Sequence, residues 1–548
     1  MPRSQRRSSL AANLVLLVGS LVFAGMLLAL LEGALRLTGV VETDVSNKSR
    51  LKYQQLYFPI LDAAQLPDGD EILRPVDTRL PYQAIRKLKP PNLTRIFVMG
   101  GSAAAGLGFS PNVTFARYLE NMLRLAYPDH FFEVMNLSIV ALSSKQVKLL
   151  VAEICKNYDP DLLVVYSGNN EFLEVHAQKY ARIHASLSWK LRDLMMKTHL
   201  YWLATRAFRT PQKPTQTGED FSKEDLRLTE HTIIEEVEMT PSDVKLVVDQ
   251  YHANFEEIAE IARSTGTPLL FMTVASNWKW RGRDDLPDGW LAEILGSAAP
   301  PTPDRYRAAR RILTERIAAS AHRERYEWLY RRAVIGEALG DFEAARTDYR
   351  EALNEDPHLR RALDVMNDRV RETAGKHGVP LLDVVELLQD SARHQILGFD
   401  EFYDYVHFTP RGALLTAAGL FRAMQRDGIV PPARGFDPDD YVRERQNELV
   451  MLDEDYLGVE AWIGFSFDRT LMDDRDLWKY DRMLEELDRR LERNSNEVAA
   501  LVYRGNANYF RIDGAEAAVR DYKAALALDK NNSVIRANLE RLLAERRP

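Results

Sequence analysis

The sequence predicts an α/β fold: a doubly wound parallel sheet, with all-α material inserted in it and appended to it, behind one membrane-spanning helix. Three observations carry this. Short apolar runs at residues 95–99, 132–137, 161–167, 268–274 and 379–384 alternate with helical stretches such as 144–158 and 241–264. Strands that alternate with helices imply crossovers between parallel strands. The runs are mostly apolar, as strands covered on both faces are. Finally, residues 10–31 form an uncharged run of 22 residues, mostly Leu, Val, Ala and Gly, enough to cross a bilayer core of ~30 Å.

Length and charge bound the rest. A chain of 548 residues is too long for one ordinary domain, and 46% apolar with 28% charged residues is a globular balance that builds a sizeable core. A net charge of −8 argues against a nucleic-acid partner, because phosphate binding wants a basic surface. Cys155 is the single cysteine, so an intrachain disulfide and a cysteine-based zinc site are excluded. It reads as a small core residue in a helix.

Taken in order, the chain begins with a basic tail, 1–9. Arg3, Arg6 and Arg7 precede the apolar run, and Glu32 and Arg36 follow it. The positive-inside bias then leaves the tail in the cytoplasm and the remainder on the periplasmic side of a bacterial-type inner membrane. A cleavable signal peptide normally has an apolar core of only ~7–15 residues, which favours an uncleaved single-pass anchor here. Residues 40–90 are turn-rich and read as a stalk. The α/β domain spans 91–428, with insertions at about 174–240 and 276–377. In the first insertion 176–208 reads as helix and the polar tract 211–220 as a linker or loop.

Within the second insertion, 326–357 reads YEWLYRRAVIGEALGDFEAARTDYREALNEDP. Small residues stand at Ala333, Ala345 and Ala352, where two antiparallel helices must cross closely. Gly340 sits in the turn, and Asp356-Pro357 ends the second helix. The pattern resembles a tetratricopeptide repeat, a helix–turn–helix unit of ~34 residues. Residues 429–470 read as a connector. The segment 471–548 carries the same pattern at Gly505, Ala518, Tyr522, Ala525 and Asp529, with Lys530 in place of the usual proline and 473–494 as a half repeat before it. Such units cannot bury their faces alone. They must stack on each other or on the α/β domain, and a concave helical face would take a peptide or a neighbouring subunit.

Four stretches at the carboxyl ends of these strands carry chemistry. After residue 99 come Gly100, Gly101 and Ser102. Paired glycines allow a tight turn, and a serine there sits at the sheet edge where open α/β folds bind ligands. No Lys-Ser/Thr follows Gly106 and no G-x-G-x-x-G is present, so this is not a phosphate loop. In EFYDYVHFTPRG (401–412), Asp404 and His407 lie on a loop, because Pro410 and Gly412 break regularity. Such a loop brings His407 to Ser102, with Asp404 holding the other ring nitrogen. In 160–174, Ser167-Gly168 precede two asparagines, whose amides can donate to an oxyanion. The stretch NLSIVALSS (136–144) can aim a backbone N–H at the same place.

Together the four stretches resemble the SGNH (GDSL-like) hydrolase family over about residues 95–426. Ser102 in GGSAAAGLG matches the nucleophile block, with Gly101 in place of the usual Asp. NLSIVALSS matches the second block, with Ala141 where the oxyanion glycine usually stands. Gly168-Asn169-Asn170-Glu171 matches the third, with Glu171 in place of Asp, and Asp404-Tyr405-Val406-His407 the last. The resemblance implies a flavodoxin-like sheet and acyl chemistry on an ester, with catalytic Ser102, Asp404 and His407. It assigns the oxyanion to the N–H groups of Ser102 and Ala141 and the amide of Asn170, and it implies no cofactor or metal. Candidate substrate contacts are Asn169, Trp278 and Trp280; the tryptophans lie beside Lys279, Arg281 and Arg283 and could meet a sugar or an anionic polymer, but plain packing of the insertion is the favoured reading of the two rings. His176, His184 and His199 have no close carboxylate or histidine at metal-ligand spacing and read as surface or interface side chains. No H-E-x-x-H is present.

The sequence therefore points to a membrane-anchored serine esterase acting on an O-acyl ester, such as O-acetyl groups of an envelope polysaccharide or lipid. That substrate rests on location and analogy. An O-acyltransferase of the same fold and a non-catalytic repeat scaffold are the alternatives.

Overall fold

The computed structural model describes residues 3–38, 54–66, 69–77, 79–81, 83–107, 113–183, 195, 198–200, 203, 237–280, 289–297, 299–320, 322–445, 478–509 and 514–545. The chain divides into two units, Met1–Leu56 with Glu174–Val237, and Tyr57–Leu173 with Glu238–Pro548.

In the first unit the apolar run lies inside a longer helix, Arg3–Thr38. Its stretch Val18–Thr38 has a mean hydropathy of 2.0 over 21 residues and is almost wholly exposed, so it is long and apolar enough to cross a membrane. Of the expected helix 176–208, the described residues are helical at its start, in Leu173–Ile183, and again at 195, 199, 200 and 203. The tract 211–220 and His184 lie outside the described residues.

The second unit opens on an antiparallel sheet of three strands, β1 (Leu61–Gln65), β2 (Glu71–Pro75) and β3 (Ile85–Arg86). This corrects the stalk reading for that part of 40–90. The partners that fix it are distant in sequence: the Tyr158 hydroxyl takes the Leu61 N–H at 3.2 Å, and Gln83 donates to the Asn136 carbonyl at 2.6 Å. Arg95 completes the join. It is only 1% exposed, and its guanidinium donates to Glu133, the Tyr158 carbonyl and the Arg86 carbonyl.

The five expected strands are β4 (Leu93–Gly100), β5 (Phe131–Asn136), β6 (Leu162–Tyr166), β7 (Leu269–Met272) and β8 (Leu381–Leu382). They pair in the order β5-β4-β6-β7-β8, all parallel. The chain steps one way from β4 to β5 and the other way to β6. Right-handed crossovers then put the helices Phe115–Ala126 and Ser144–Asn157 on opposite faces. The first packs with Pro410–Arg426, the second with Pro241–Thr265. Two strands are shorter than expected for a local reason. Past β7 the Asn367 side chain takes over the ladder, bonding both the N–H and the carbonyl of Val274. After β8 the Asp383 side chain caps the helix Val384–Ser391 and ends the extended run.

The second insertion holds the helices Trp290–Leu295, Pro303–Ala319, His322–Ala338 and Phe342–Glu355. The last two form the antiparallel pair read from the sequence, with Ala333, Ala345 and Ala352 buried at the crossing. The C-terminal helices Trp478–Arg493, Val498–Tyr509, Ala515–Leu528 and Ser533–Glu545 share a core that includes Met483, Leu487, Ala507, Tyr522 and Leu542. The connector 429–470 contains a helix, Pro438–Arg445, and its remainder from 446 lies outside the described residues.

The spacing of β4 from β6 is set at Gly100. A Cβ there would stand 2.1 Å from the Tyr166 carbonyl oxygen and 2.8 Å from the Ala104 Cβ. Gly100→Ala is therefore expected to cost about 1–3 kcal/mol, the usual cost of overpacking a site that cannot yield. Denaturant unfolding followed by tertiary fluorescence measures it.

Candidate active site

Ser102 follows β4 directly. Gly101, in extended conformation at φ −91°, precedes the one-turn helix Ser102–Ala105, and Gly106 at φ +77° closes it. Such a turn holds the serine hydroxyl beyond the carboxyl edge of the sheet. Ser102 is 5% exposed.

The loop after β8 brings the other two groups. Thr409 caps the helix Pro410–Arg426, and Phe402 and Phe408 form a bridge across the loop. The Tyr403 N–H donates to the His407 carbonyl at 3.0 Å, and the Thr409 N–H to the Glu401 carbonyl at 2.9 Å. Inside this frame Asp404 Oδ1 accepts the N–H groups of Val406 and His407 at 2.9 and 2.8 Å. Asp404 Oδ2 lies 2.5 Å from His407 Nδ1, and His407 Nε2 lies 2.8 Å from Ser102 Oγ. An ionised carboxylate only accepts, so Nδ1 carries the ring proton and Nε2 accepts from the serine hydroxyl. Tyr403 stacks on the imidazole at 5.7 Å, and Tyr405 meets it edge-on at 5.7 Å. The structure thus joins Ser102, His407 and Asp404 in one hydrogen-bonded chain.

The two donor stretches meet the same turn. Asn170 Nδ2 donates to the Leu142 carbonyl at 3.0 Å, and a Cβ on Gly101 would stand 2.3 Å from that nitrogen. The amide has a second hydrogen, and it lies against the nucleophile turn. This explains glycine at 101: any side chain there would displace Asn170. The turn at 139–142 is fastened by the Ile139 N–H on the Gly100 carbonyl at 3.2 Å. Within it Ala141 is buried at φ +65°, a left-handed conformation that costs a non-glycine residue about 1–2 kcal/mol. The backbone geometry that suits glycine is kept without it. Glu171 does structural work: its carboxylate accepts both the N–H and the hydroxyl of Ser144, each at 2.7 Å, at the start of the helix Ser144–Asn157.

Other expectations are corrected. Asn169 is buried, with its Oδ1 taken by the Ala362 N–H at 3.1 Å, so this oxygen braces the insertion. Trp278 and Trp280 are each 4% exposed, with Arg350 against the first ring and Arg360 and Arg361 against the second. The two rings pack within the insertion, the favoured reading of them, and the alternative of a sugar-stacking surface is not supported. Lys279 pairs with Glu337 at 2.7 Å, and Arg281 and Arg283 lie outside the described residues. His176 is fully buried, not a surface residue. His199 does meet a carboxylate, Glu32, at 3.1 Å. Cys155 is half-exposed.

One group in the quoted loop went unread. Glu401 is 1% exposed, its Oε2 receives the Gly398 N–H at 3.2 Å, and its Oε1 is buried with no hydrogen-bond partner among the described residues. Burial, reinforced by the Asp400 charge, pushes the carboxyl up to about 7 from 4.5. A carboxylate beside His407 was the only sequence signal, and burial is not local information.

The sign of the effect follows. The folded chain binds this proton more tightly than the unfolded one, so its contribution is full below about pH 4.5 and lost as pH rises through about 7. The loss amounts to about 3 kcal/mol at 1.36 kcal/mol per unit. Glu401→Gln is expected to match the parent near pH 4.5 and exceed it increasingly up to pH 8, read as the stability difference across a pH series of denaturant titrations.

No family model matches the sequence, and no curated protein does. Solved structures similar to this chain include an alpha/beta hydrolase from the metagenome of Lake Arreo, Spain, at 11% identity and a TM-score of 0.29, covering 62% of this chain and 96% of that one. A variant of Axe2, an acetyl xylan esterase from Geobacillus stearothermophilus, is 12% identical with a TM-score of 0.29, covering 64% of this chain and 98% of its own. A GDSL-like lipase from Bacteroides thetaiotaomicron is 12% identical with a TM-score of 0.26, covering 61% and 89% respectively.

Proposed function

We propose that this chain is a membrane-anchored serine esterase of the SGNH type. The observation that carries the proposal is the buried chain from Asp404 Oδ2 through His407 to Ser102 Oγ. A scaffold with no chemistry to perform has no use for that alignment.

In the proposed reaction His407 Nε2 takes the hydroxyl proton as Ser102 Oγ bonds to the ester carbonyl carbon. Asp404 holds the ring and stabilises the imidazolium. The N–H of Ser102 and the second amide hydrogen of Asn170 receive the oxyanion, with the Ala141 backbone in the adjoining turn. Collapse breaks the bond to the alkoxy oxygen, which leaves with the proton from His407. Water then repeats the sequence on the acyl-enzyme and releases the acid. The substrate class is an O-acyl ester, with O-acetyl groups of an envelope glycan or lipid as the specific reading. It is supported by the apolar helix and the arginines before it, a pattern that favours an anchor with the domain outside a bacterial-type inner membrane.

Transfer to a sugar hydroxyl is the second reading. It uses the same Ser102, His407 and Asp404 and differs only in whether water or a sugar hydroxyl resolves the acyl-enzyme. Product analysis with and without an acceptor glycan separates the two.

A fluorophosphonate probe is expected to label the detergent-solubilised parent, with Ser102→Ala and His407→Ala unlabelled. Labelling of folded Ser102→Ala at the parent's rate would sink the proposal. Asn170→Ala should keep the fold and lose about 10²–10³ in kcat on a short acyl ester, the usual cost of one oxyanion donor.

A further inference from the structure

The loop that holds Asp404 and His407 is irregular, and its backbone needs partners from elsewhere. Two of its carbonyls find them in one residue. The Asn277 N–H donates to the Tyr405 carbonyl at 2.9 Å, and Asn277 Nδ2 donates to the Asp404 carbonyl at 3.0 Å. Asn277 is fully buried just past β7, at the root of the second insertion. Its own acceptors are occupied too. Oδ1 takes the Lys279 N–H at 3.0 Å, and its carbonyl takes Arg361 Nη1 at 2.7 Å.

Arg361 comes from the far end of the insertion. It is 6% exposed and donates its second nitrogen, Nη2, to the Trp280 carbonyl at 3.1 Å. Trp280 in turn packs on Tyr405 at 5.1 Å. A guanidinium offers its donors in a fixed planar fork, so both carbonyls are held in one plane. The order of contacts is Arg361, Asn277, Asp404, His407, Ser102. Each link but the last two lies within the insertion root or on its border with the catalytic loop.

We infer that Asn277 is a positioning residue for the triad, held in turn by Arg361, so that the root of the helical insertion fixes where Asp404 places the His407 ring. This rests on the esterase reading. Asn277 touches no reacting atom. It sets the height of the Asp404 backbone, and displacement of that carboxylate weakens its support of the imidazolium that forms during catalysis.

The test uses the full detergent-solubilised chain with Asn277→Ala, Asn277→Asp and Arg361→Lys. The readouts are the second-order rate of inactivation by a fluorophosphonate across pH, and kcat and KM on p-nitrophenyl acetate. Asn277→Ala is expected to slow inactivation roughly 10- to 100-fold, the scale for removing an outer hydrogen bond to a functional ligand. KM should stay within about twofold, and the acid limb of the rate–pH profile should move to lower pH. Arg361→Lys keeps the charge and loses the fork, and a smaller shift in the same direction is expected. A merely structural role would lower the melting temperature and leave the acid limb in place. If Asn277→Ala does not fold, Asn277→Asp decides on the same readouts, since it keeps the volume and the Lys279 contact but replaces the donor. A folded Asn277→Asp at the parent's rate and pH profile overturns the inference, and so does failure of both variants to fold. A parent that is not labelled removes the esterase reading, whereas a labelled parent beside an unaffected variant removes the inference alone.

Discussion

The active edge depends on how closely β4 lies to β6. The two strands run parallel with Gly100 opposite Tyr166, and at that pair there is no room for a methyl group. The turn that follows β4 is thereby pressed against the turn that follows β6. Ser102 and the Asn170 amide meet there although each belongs to a different crossover. On its other side β4 holds β5, and the turn after β5 is fastened to the Gly100 carbonyl. Three turns converge because the strand order reverses at β4, which is where an open α/β sheet leaves a crevice beyond its carboxyl ends. His407 enters from 305 residues further along the chain.

Much of this was legible because a parallel sheet writes itself as continuous apolar runs. The four site stretches follow strand ends in chain order, and the residues they nominate for the triad do meet. What was not legible depends on partners distant in sequence. The segment before β4 looks like a stalk until Arg95 and Tyr158 supply bonds to its strands. Arg95 itself contradicts its strand, since a lone arginine in an apolar run gives no hint of three acceptors waiting for it. Trp278 and Trp280 beside cations leave two readings, packing of the insertion and a surface for sugars. The cations that occupy their faces are Arg350, Arg360 and Arg361, some 70 to 80 residues on, and they turn the pair into packing. Aromatic and cationic side chains make either arrangement, and the local sequence is the same for both.

The loop at 401–409 also shows how hydrogen bonding divides two buried carboxyls. Asp404 and Glu401 sit three residues apart with similar burial. Asp404 is offered the N–H groups of Val406 and His407 and the ring of His407. Glu401 receives the Gly398 N–H and its own backbone N–H on its carboxyl, has no donor on Oε1 among the described residues, and lies close to the Asp400 charge. Donors aimed at a carboxylate favour its ionised form, and burial without them favours the neutral one. The loop therefore engages both oxygens of Asp404 in hydrogen bonds, whereas burial raises the Glu401 carboxyl. Its backbone is tied down by the same residues, since the Glu401 carbonyl accepts from Thr409.

The second insertion leaves the sheet between β7 and β8, two neighbouring strands, and it would pry them apart if its ends were loose. They are clamped instead. Asn367 replaces the missing ladder bonds at Val274, Arg361 gathers the carbonyls of Asn277 and Trp280, and Ala362 donates to Asn169 in the turn after β6. Loop closure over such a length grows only slowly in entropic cost, so a long insertion is tolerable once its root is rigid. The root, however, is built on the active edge. Its polar bonds reach the turn beside Asn170 on one side and the backbone of Asp404 on the other. Closing the insertion and holding the backbone of Asp404 are therefore met by the same few hydrogen bonds.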